Sequence, residues 1–316
     1  MMRVNYSPNL VVLGGTGFIG RHFVPFASAA GWHVRALSRN GTPASSLDGV
    51  DWVRGTLDDV SVWPRLLIPG CVVVNLVHAQ RAATAEAVAT TRRMVDACVR
   101  ARVSRLVHCS SISVYGRASV GQIDERVRCL PVDDYGRNKL TVEEALLGTN
   151  SGEVEIIILR PAAVFGSGSA ALRTIVSSLL HGSRWKNYLR SNLFGRRHMH
   201  LVPVSKVVSA LSFLSTVKSA VHGEVFNVTD DTEPLNNFRD VESLLMQVLE
   251  VSPYRLPRLP IPGWLLGMAL YARGRGEIDP TCRYSSGKLH TLGFIHNSDF
   301  ESELRSYIAH CRTSLE

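Results

Sequence analysis

Leu10-Val-Val-Leu13 runs directly into Gly14-Gly-Thr-Gly-Phe-Ile-Gly20, a short apolar strand followed by a GxxGxxG loop, and the amphipathic stretch Ile19 to Ala30 continues from it. Glycines in this order let the chain turn tightly at a strand end. They also let backbone N–H groups approach an anion, which then sits at the positive end of the following helix. A glycine loop alone is weak evidence. Flanked by strand and helix it predicts a dinucleotide-binding βαβ unit, with Gly14, Thr16, Gly17, Phe18, Ile19 and Gly20 around a pyrophosphate.

The same alternation extends outward from this loop. Strands are predicted at Leu10 to Leu13, His33 to Leu37, Val50 to Val53, Val72 to Leu76, Arg105 to Cys109 and Glu155 to Leu159. Helical spacing over Ile19 to Ala30, Ala82 to Arg102 and Tyr135 to Leu147 supplies crossovers between them. The fold class is therefore α/β, a doubly wound, Rossmann-like parallel sheet. After Gly166 the pattern weakens and turns basic around Arg184 to His200. It resumes as a strand-like Glu224 to Val228 and ends in a Pro-rich stretch from Pro253 to Pro262. The expected division is a cofactor domain of residues 1–165 plus about 201–231, with a smaller discontinuous C-terminal substrate domain of about 166–200 plus 232–316.

The 316 residues suit about two domains. With 45% apolar and 20% charged residues, disordered, collagen-like and coiled-coil classes are excluded. The 35 Lys and Arg against 27 Asp and Glu leave a formal charge of +8, which suits nucleic acid, an anionic membrane or a phosphorylated small molecule. No aromatic-interleaved basic motif accompanies the charge, so nucleic acid is set aside. Cys71, Cys98, Cys109, Cys129, Cys282 and Cys311 form no CxxC pair and show no zinc-type spacing. Reduced thiols, a cytoplasmic location and no metal are expected. The apolar run Ile261 to Ala272 is about twelve residues, broken by Pro262, Gly263 and Gly267, too short to span a bilayer.

The second strand ends Ala36-Leu37-Ser38-Arg39, where an acidic side chain would read the 2′-hydroxyl of NAD. No carboxylate stands there, and Arg39 offers a planar cationic fork for a 2′-phosphate, so NADPH is favoured and NAD(H) is the alternative. By topology, Asp58 borders the adenine, and Val77 and His78 end the fourth strand near the ribose and phosphates. The fifth strand ends in Cys109-Ser-Ser-Ile-Ser-Val-Tyr-Gly116, and Tyr135-Gly-Arg-Asn-Lys139 follows. A spacing of four puts Tyr135 and Lys139 on one helical face, where an ammonium stabilises phenolate and lowers the phenol pKa from about 10. Such a phenol is a general acid or base, and a strand-end serine can hydrogen-bond the reacting oxygen.

These pieces resemble the extended short-chain dehydrogenase/reductase (NAD-dependent epimerase/dehydratase) family, in particular its nucleotide-sugar branch. The matching segments are Gly14 to Gly20, Ser110 to Gly116, Tyr135 to Lys139, Leu159-Arg-Pro-Ala-Ala-Val-Phe-Gly166, Gly223 to Val228 and Lys288 to Phe294, in family order over nearly the whole chain. The resemblance implies Ser111 as catalytic serine, Tyr135 as acid/base, and Lys139 as the residue that binds the nicotinamide ribose and tunes Tyr135. It also implies a nucleotide-diphosphate site in the second domain, with Arg196, Arg197 and Phe165 as substrate contacts.

The sequence departs from the family at three places. Dehydratases carry an Asp-Glu pair after the catalytic hydroxyl residue, whereas Ile112 and Ser113 stand here, so dehydration is disfavoured. Ser205 and Lys206 replace the family's acidic residue after Val204, and Glu86 replaces an Asn. The reading that follows is a 4-ketoreductase acting on a nucleotide sugar. Its alternatives are a 4-epimerase with tightly bound NAD, a dehydrogenase of sterol-like alcohols, and a non-catalytic cofactor-binding protein. In the sterol-like reading, Trp264 to Tyr271, between Arg258 and Arg273, lies on a membrane surface as a peripheral contact. Buried core or a homodimer contact is the plainer reading of that segment.

Overall fold

The computed structural model describes residues 8–41, 49–77, 84–116, 121–259, 268 and 282–313. Seven parallel strands form the main sheet: β1 (Asn9–Leu13), β2 (His33–Ser38), β3 (Val50–Arg54), β4 (Val72–Asn75), β5 (Arg105–Cys109), β7 (Glu155–Pro161) and β10 (Val225–Val228), in the spatial order β10-β7-β5-β4-β1-β2-β3. The order reverses between β1 and β4, the switch that opens a crevice outside the strand ends. Register is continuous, with Leu13 opposite Leu37 on one side and Asn75 on the other. Strands β1, β4 and β5 are buried almost throughout, as expected of a sheet covered on both faces. Helices α1 (Gly20–Ala29), α2 (Trp63–Leu66), α3 (Thr84–Arg100) and α4 (Asp134–Leu147) supply crossovers.

The chain divides into two compact units. The first comprises residues 1–114, 133–160 and 207–226, and the second 115–132, 161–206 and 227–316. The division differs from the sequence-based boundaries at residues 115–132, 161–165, 201–206 and 227–231, all of which fall in the second unit. Residues 115–132 join the second unit because their short strand β6 (Gln122–Ile123) pairs with β11 (Arg283–Tyr284), and the buried Tyr115 hydroxyl donates to Asn227 Oδ1 at 2.9 Å. Residues 201–206 and 227–231 also fall in the second unit. There the Ser286 hydroxyl accepts from Thr229 N, Asp230 pairs with Lys206, and Asp231 pairs with His200.

The first unit's core packs Val11, Leu13, Leu66, Met94, Leu106 and Leu146. Its Arg105 ties the strand edge down, donating to Glu155 and to Leu214 O. The second unit holds β8 (Ala163–Phe165), β9 (Leu201–Pro203), α5 (Arg173–His181), α6 (Arg184–Phe194) and α8 (Phe238–Val248), while α7 (Val204–Thr216) begins in it. Its own core centres on Phe165, Leu201, Val241, Leu245, Phe300 and Tyr307. No helix among the described residues is long and apolar enough to cross a membrane. The segment Trp264 to Tyr271 lies outside the described residues apart from Met268.

Candidate active site

The glycine loop takes the form its sequence demands. Gly14 has φ +84°, a left-handed conformation open to glycine at little cost, and its carbonyl accepts the Gly17 N–H at 3.0 Å. A Cβ on Gly20 would stand 2.7 Å from the Gly15 carbonyl carbon and oxygen and closer still to Gly14 O. The missing side chain is what seats the helix start against the loop. Helix α1 has no side-chain cap at Ile19, and its Arg21, His22 and Phe23 amides donate to the carbonyls of Gly17 and Ile19, so the helix start is continuous with the loop. Thr16 and Gly17 are exposed at the rim. A tight glycine cradle leading into a helix N-terminus fits a dinucleotide pyrophosphate.

Ser38 is buried at the end of β2, its carbonyl accepting from Gly55 N, and Arg39 next to it is exposed. The Asp58 carboxylate accepts from Thr90 Oγ1 at 3.0 Å and Arg93 Nη2 at 2.6 Å, so it also staples its loop to α3. Val77 N donates to Asn75 Oδ1 at 3.0 Å, and His78 lies outside the described residues.

Helix α4 presents the remaining groups. Asp133 caps it, accepting from Gly136 N at 2.7 Å, which places Tyr135 in the first turn. Further along, the buried Glu143–Arg160 pair clamps α4 to β7 with contacts of 2.5 to 3.2 Å. Lys139 lies between, buried, with Nζ donating to Cys109 O at 2.8 Å. Its pKa is pulled down by burial, against the nearby negative charge of Glu143.

The Tyr135 phenol hydrogen-bonds Ser111, while the residue remains 39% exposed and so within reach of a ligand. The Ser111 hydroxyl is steered by Ser113, donating to its Oγ at 3.1 Å and accepting from its backbone N–H at 3.2 Å. The structure thus brings Ser111 and Tyr135 together, with Lys139 one turn on. One expectation fails: the phenol pKa is raised, because desolvation outweighs the opposing hydrogen bond with Ser111.

Three residues of this neighbourhood escape sequence reading. Asn75 Nδ2 meets His108 Nδ1 at 3.1 Å between paired positions of β4 and β5. His108 is held neutral, its pKa well below the usual imidazole value through burial and then the Lys139 charge. Ser110 Oγ is buried and has no partner among the described residues. The available cue was Asn75 itself, a polar end to the otherwise apolar Val72-Val-Val74.

The expected substrate contacts fare differently. Phe165 is buried in the second unit's core, its ring 5.6 Å from that of Phe300 and 5.8 Å from that of Tyr307. That placement removes it from any surface a ligand could touch. Arg196 is exposed, and the Arg197 guanidinium lies 5.7 Å from the Phe194 ring centroid.

Residues 10–229 match the family model described as NAD dependent epimerase/dehydratase family. The chain belongs to this family. Among NAD-dependent epimerase/dehydratase relatives, the sterol-4-alpha-carboxylate 3-dehydrogenase ERG26, decarboxylating, of Saccharomyces cerevisiae is 27% identical over 71% of this chain and 71% of its own. The Bordetella bronchiseptica enzyme WbmG in complex with NAD superposes with a TM-score of 0.73 at 19% identity, covering 99% of this chain and 96% of that one. MoeE5 in complex with UDP-glucose and NAD gives 0.69 at 24% identity, covering 98% and 100%. At these identities the two structures establish the shared fold.

Proposed function

We propose that the chain is an NAD(P)-dependent oxidoreductase interconverting a ketone and a secondary alcohol, acting as a 4-ketoreductase on a nucleotide-linked sugar. The observation that carries the reaction is the hydrogen-bonded pair of Ser111 and Tyr135 at the end of β5, with Lys139 one helical turn beyond. The nicotinamide, when bound, supplies or accepts the hydride. The Tyr135 phenol, whose pKa burial pushes up from its ordinary value, serves as the proton donor to a carbonyl oxygen, the role that ketone reduction requires. Ser111, held by the Ser113 amide, gives that oxygen a second hydrogen bond when its hydroxyl turns from Ser113 Oγ to the substrate. Lys139, anchored on the Cys109 carbonyl one helical turn beyond Tyr135, is assigned to the nicotinamide ribose.

Ile112 and Ser113 follow Ser111, so no carboxylate stands there as a base for elimination, which argues against dehydration. Exposed Arg39 beside Ser38 supports NADPH. The nucleotide-sugar assignment draws on the fold shared with MoeE5, whose complex holds UDP-glucose. A second reading, a hydrophobic alcohol as substrate, is favoured by the sterol dehydrogenase that matches most of both chains.

Single-turnover assays with nucleotide-linked 4-keto sugars and with sterol ketones test these assignments. Stoichiometric NADPH consumption on the sugar is expected, with Tyr135→Phe lowering the rate by about 10²- to 10⁴-fold and leaving cofactor affinity intact. Isomerisation without net cofactor use establishes an epimerase, and turnover confined to the sterol establishes the second reading. Near wild-type turnover by Tyr135→Phe overturns the mechanism.

A further inference from the structure

Helix α6 is patterned inside out. Its buried positions are Asn187, Ser191 and Asn192, whereas Trp185 is 58% and Leu189 48% exposed, one turn apart on the outer face. A helix on a water-soluble surface ordinarily carries the opposite pattern. The inner polar residues hold the helix down by hydrogen bonds, as where Asn187 Nδ2 donates to Ser178 O at 2.6 Å and Asn192 Oδ1 accepts from Leu259 N at 2.5 Å. Trp185 and Leu189 are left to the outside, while Phe194 near the helix end packs on the Phe238 ring at 5.2 Å.

The segment 252–259 is fastened beside α6 and extends the same surface. The Tyr188 hydroxyl donates to Pro257 O at 2.8 Å, and Arg184 donates to the carbonyls of Ser252 and Pro253 at 3.0 and 2.9 Å. From this segment Leu256 and Leu259 project with 55% and 61% exposure. Four large apolar side chains therefore stand exposed on α6 and the segment fastened to it, with Lys186 and Arg255 exposed beside them and Arg184 exposed while it holds the segment. Charge selects the partner. The chain carries no Asp or Glu from Ile156 to Gly223, nor any from Val251 to Leu259.

We propose that this face, Trp185, Leu189, Leu256 and Leu259 with Arg184, Lys186 and Arg255, docks on an anionic lipid bilayer. An interfacial helix that lies in a membrane plane joins aromatic and aliphatic side chains to a cationic fringe. The apolar groups enter the headgroup boundary, and the cations meet lipid phosphates within a Debye length of the surface. A soluble phosphorylated ligand would engage the cations and leave Trp185 and Leu189 without a role. The inference goes beyond the proposed reaction and holds for either substrate class.

The test is co-sedimentation of the full chain with vesicles of phosphatidylcholine alone and of phosphatidylcholine mixed with phosphatidylglycerol. Wild type is expected to pellet with the mixed vesicles, to do so less at high salt, and to ignore the neutral ones. The double variant Trp185→Ser/Leu189→Ser, whose sites are exposed, should melt as wild type and lose binding by more than roughly tenfold. Lys186→Glu should weaken binding to the mixed vesicles. Brominated acyl chains should quench wild-type fluorescence more than that of Trp185→Phe, a readout that remains if the double variant fails to fold. Equal pelleting with neutral vesicles, no pelleting, or no difference in quenching overturns the proposal. A dimer in sedimentation velocity that the double variant abolishes assigns the face to a second copy and overturns it equally.

Discussion

Replacing Gly20 with alanine sets two known effects against each other at one atom. Alanine within a helix is favoured over glycine by about 1 kcal/mol. Here the added methyl would stand 2.7 Å from the Gly15 carbonyl carbon and oxygen, and nearer still to Gly14 O. These are backbone atoms with no rotamer to adopt, and the loop is pinned by Gly14 at φ +84° and by the Gly17-to-Gly14 hydrogen bond. Relief requires the loop to retreat by about 1 Å, and overpacking of this kind costs about 1–3 kcal/mol. The closest approaches are to backbone atoms, which puts the cost at the upper end of that range, so the clash wins with a net loss of up to about 2 kcal/mol and a melting temperature lower by a few degrees. Because the displaced amides are those offered to the pyrophosphate, cofactor affinity should fall by at least about tenfold, or 1.4 kcal/mol. Gly17→Ala is the control for the melt alone, since its nearest neighbour would be Gly14 O at 3.2 Å and the position is exposed. Thermal melts with and without NADPH, and fluorescence titration of the cofactor, read both effects. A Gly20→Ala protein that melts and binds as wild type would refute the argument that this glycine is required by close approach.

Two further predictions concern charge. Arg39→Asp should weaken NADPH far more than NADH in parallel titrations, because it removes a cation from the end of β2 and installs an acceptor for a ribose hydroxyl; equal losses for both cofactors would show that Arg39 reads no phosphate. His108 is held neutral in the folded chain by burial and the Lys139 charge. As pH falls through about 6.5 the unfolded chain takes the proton first, so stability declines on the acid side by up to about 1.4 kcal/mol per pH unit. In urea unfolding across that range, His108→Gln should show a shallower decline than wild type, and parallel curves would count against the assignment.

The β1–glycine loop–α1 unit was legible because every signal in it is local. Apolar residues fill a strand buried on both faces, glycines stand where the loop closes on itself, and the strand and helix fall within a residue or two of the expected bounds. Arg105 to Cys109 coincides with β5, and Tyr135 and Lys139 share α4 because a spacing of four closes one helical turn. Phe165 shows where such reasoning stops, since a motif position says nothing about which core the side chain enters. The phenol of Tyr135 shows the same limit in its chemistry. Residue spacing suggested a stabilised phenolate, while burial, a property of the folded surroundings, raised the pKa.

By itself the sequence determined the parallel sheet, the glycine cradle and the identity of the hydroxyl, phenol and ammonium groups, because strand burial, turn geometry and helical period are written within a few residues of one another. The tertiary structure alone decided the grouping of residues 115–132 with 227–316, the Asn75–His108 contact, and the outward face of α6. Strands as short as Gln122–Ile123 and Arg283–Tyr284 carry no periodicity of their own. They exist through pairing across about 160 residues of chain, an energy realised after the loop between them has closed. Helix α6 is the complementary case. Its buried Asn187 and Asn192 are held by Ser178 and Leu259, so which of its faces is buried follows in part from those distant contacts rather than from its own hydrophobic pattern.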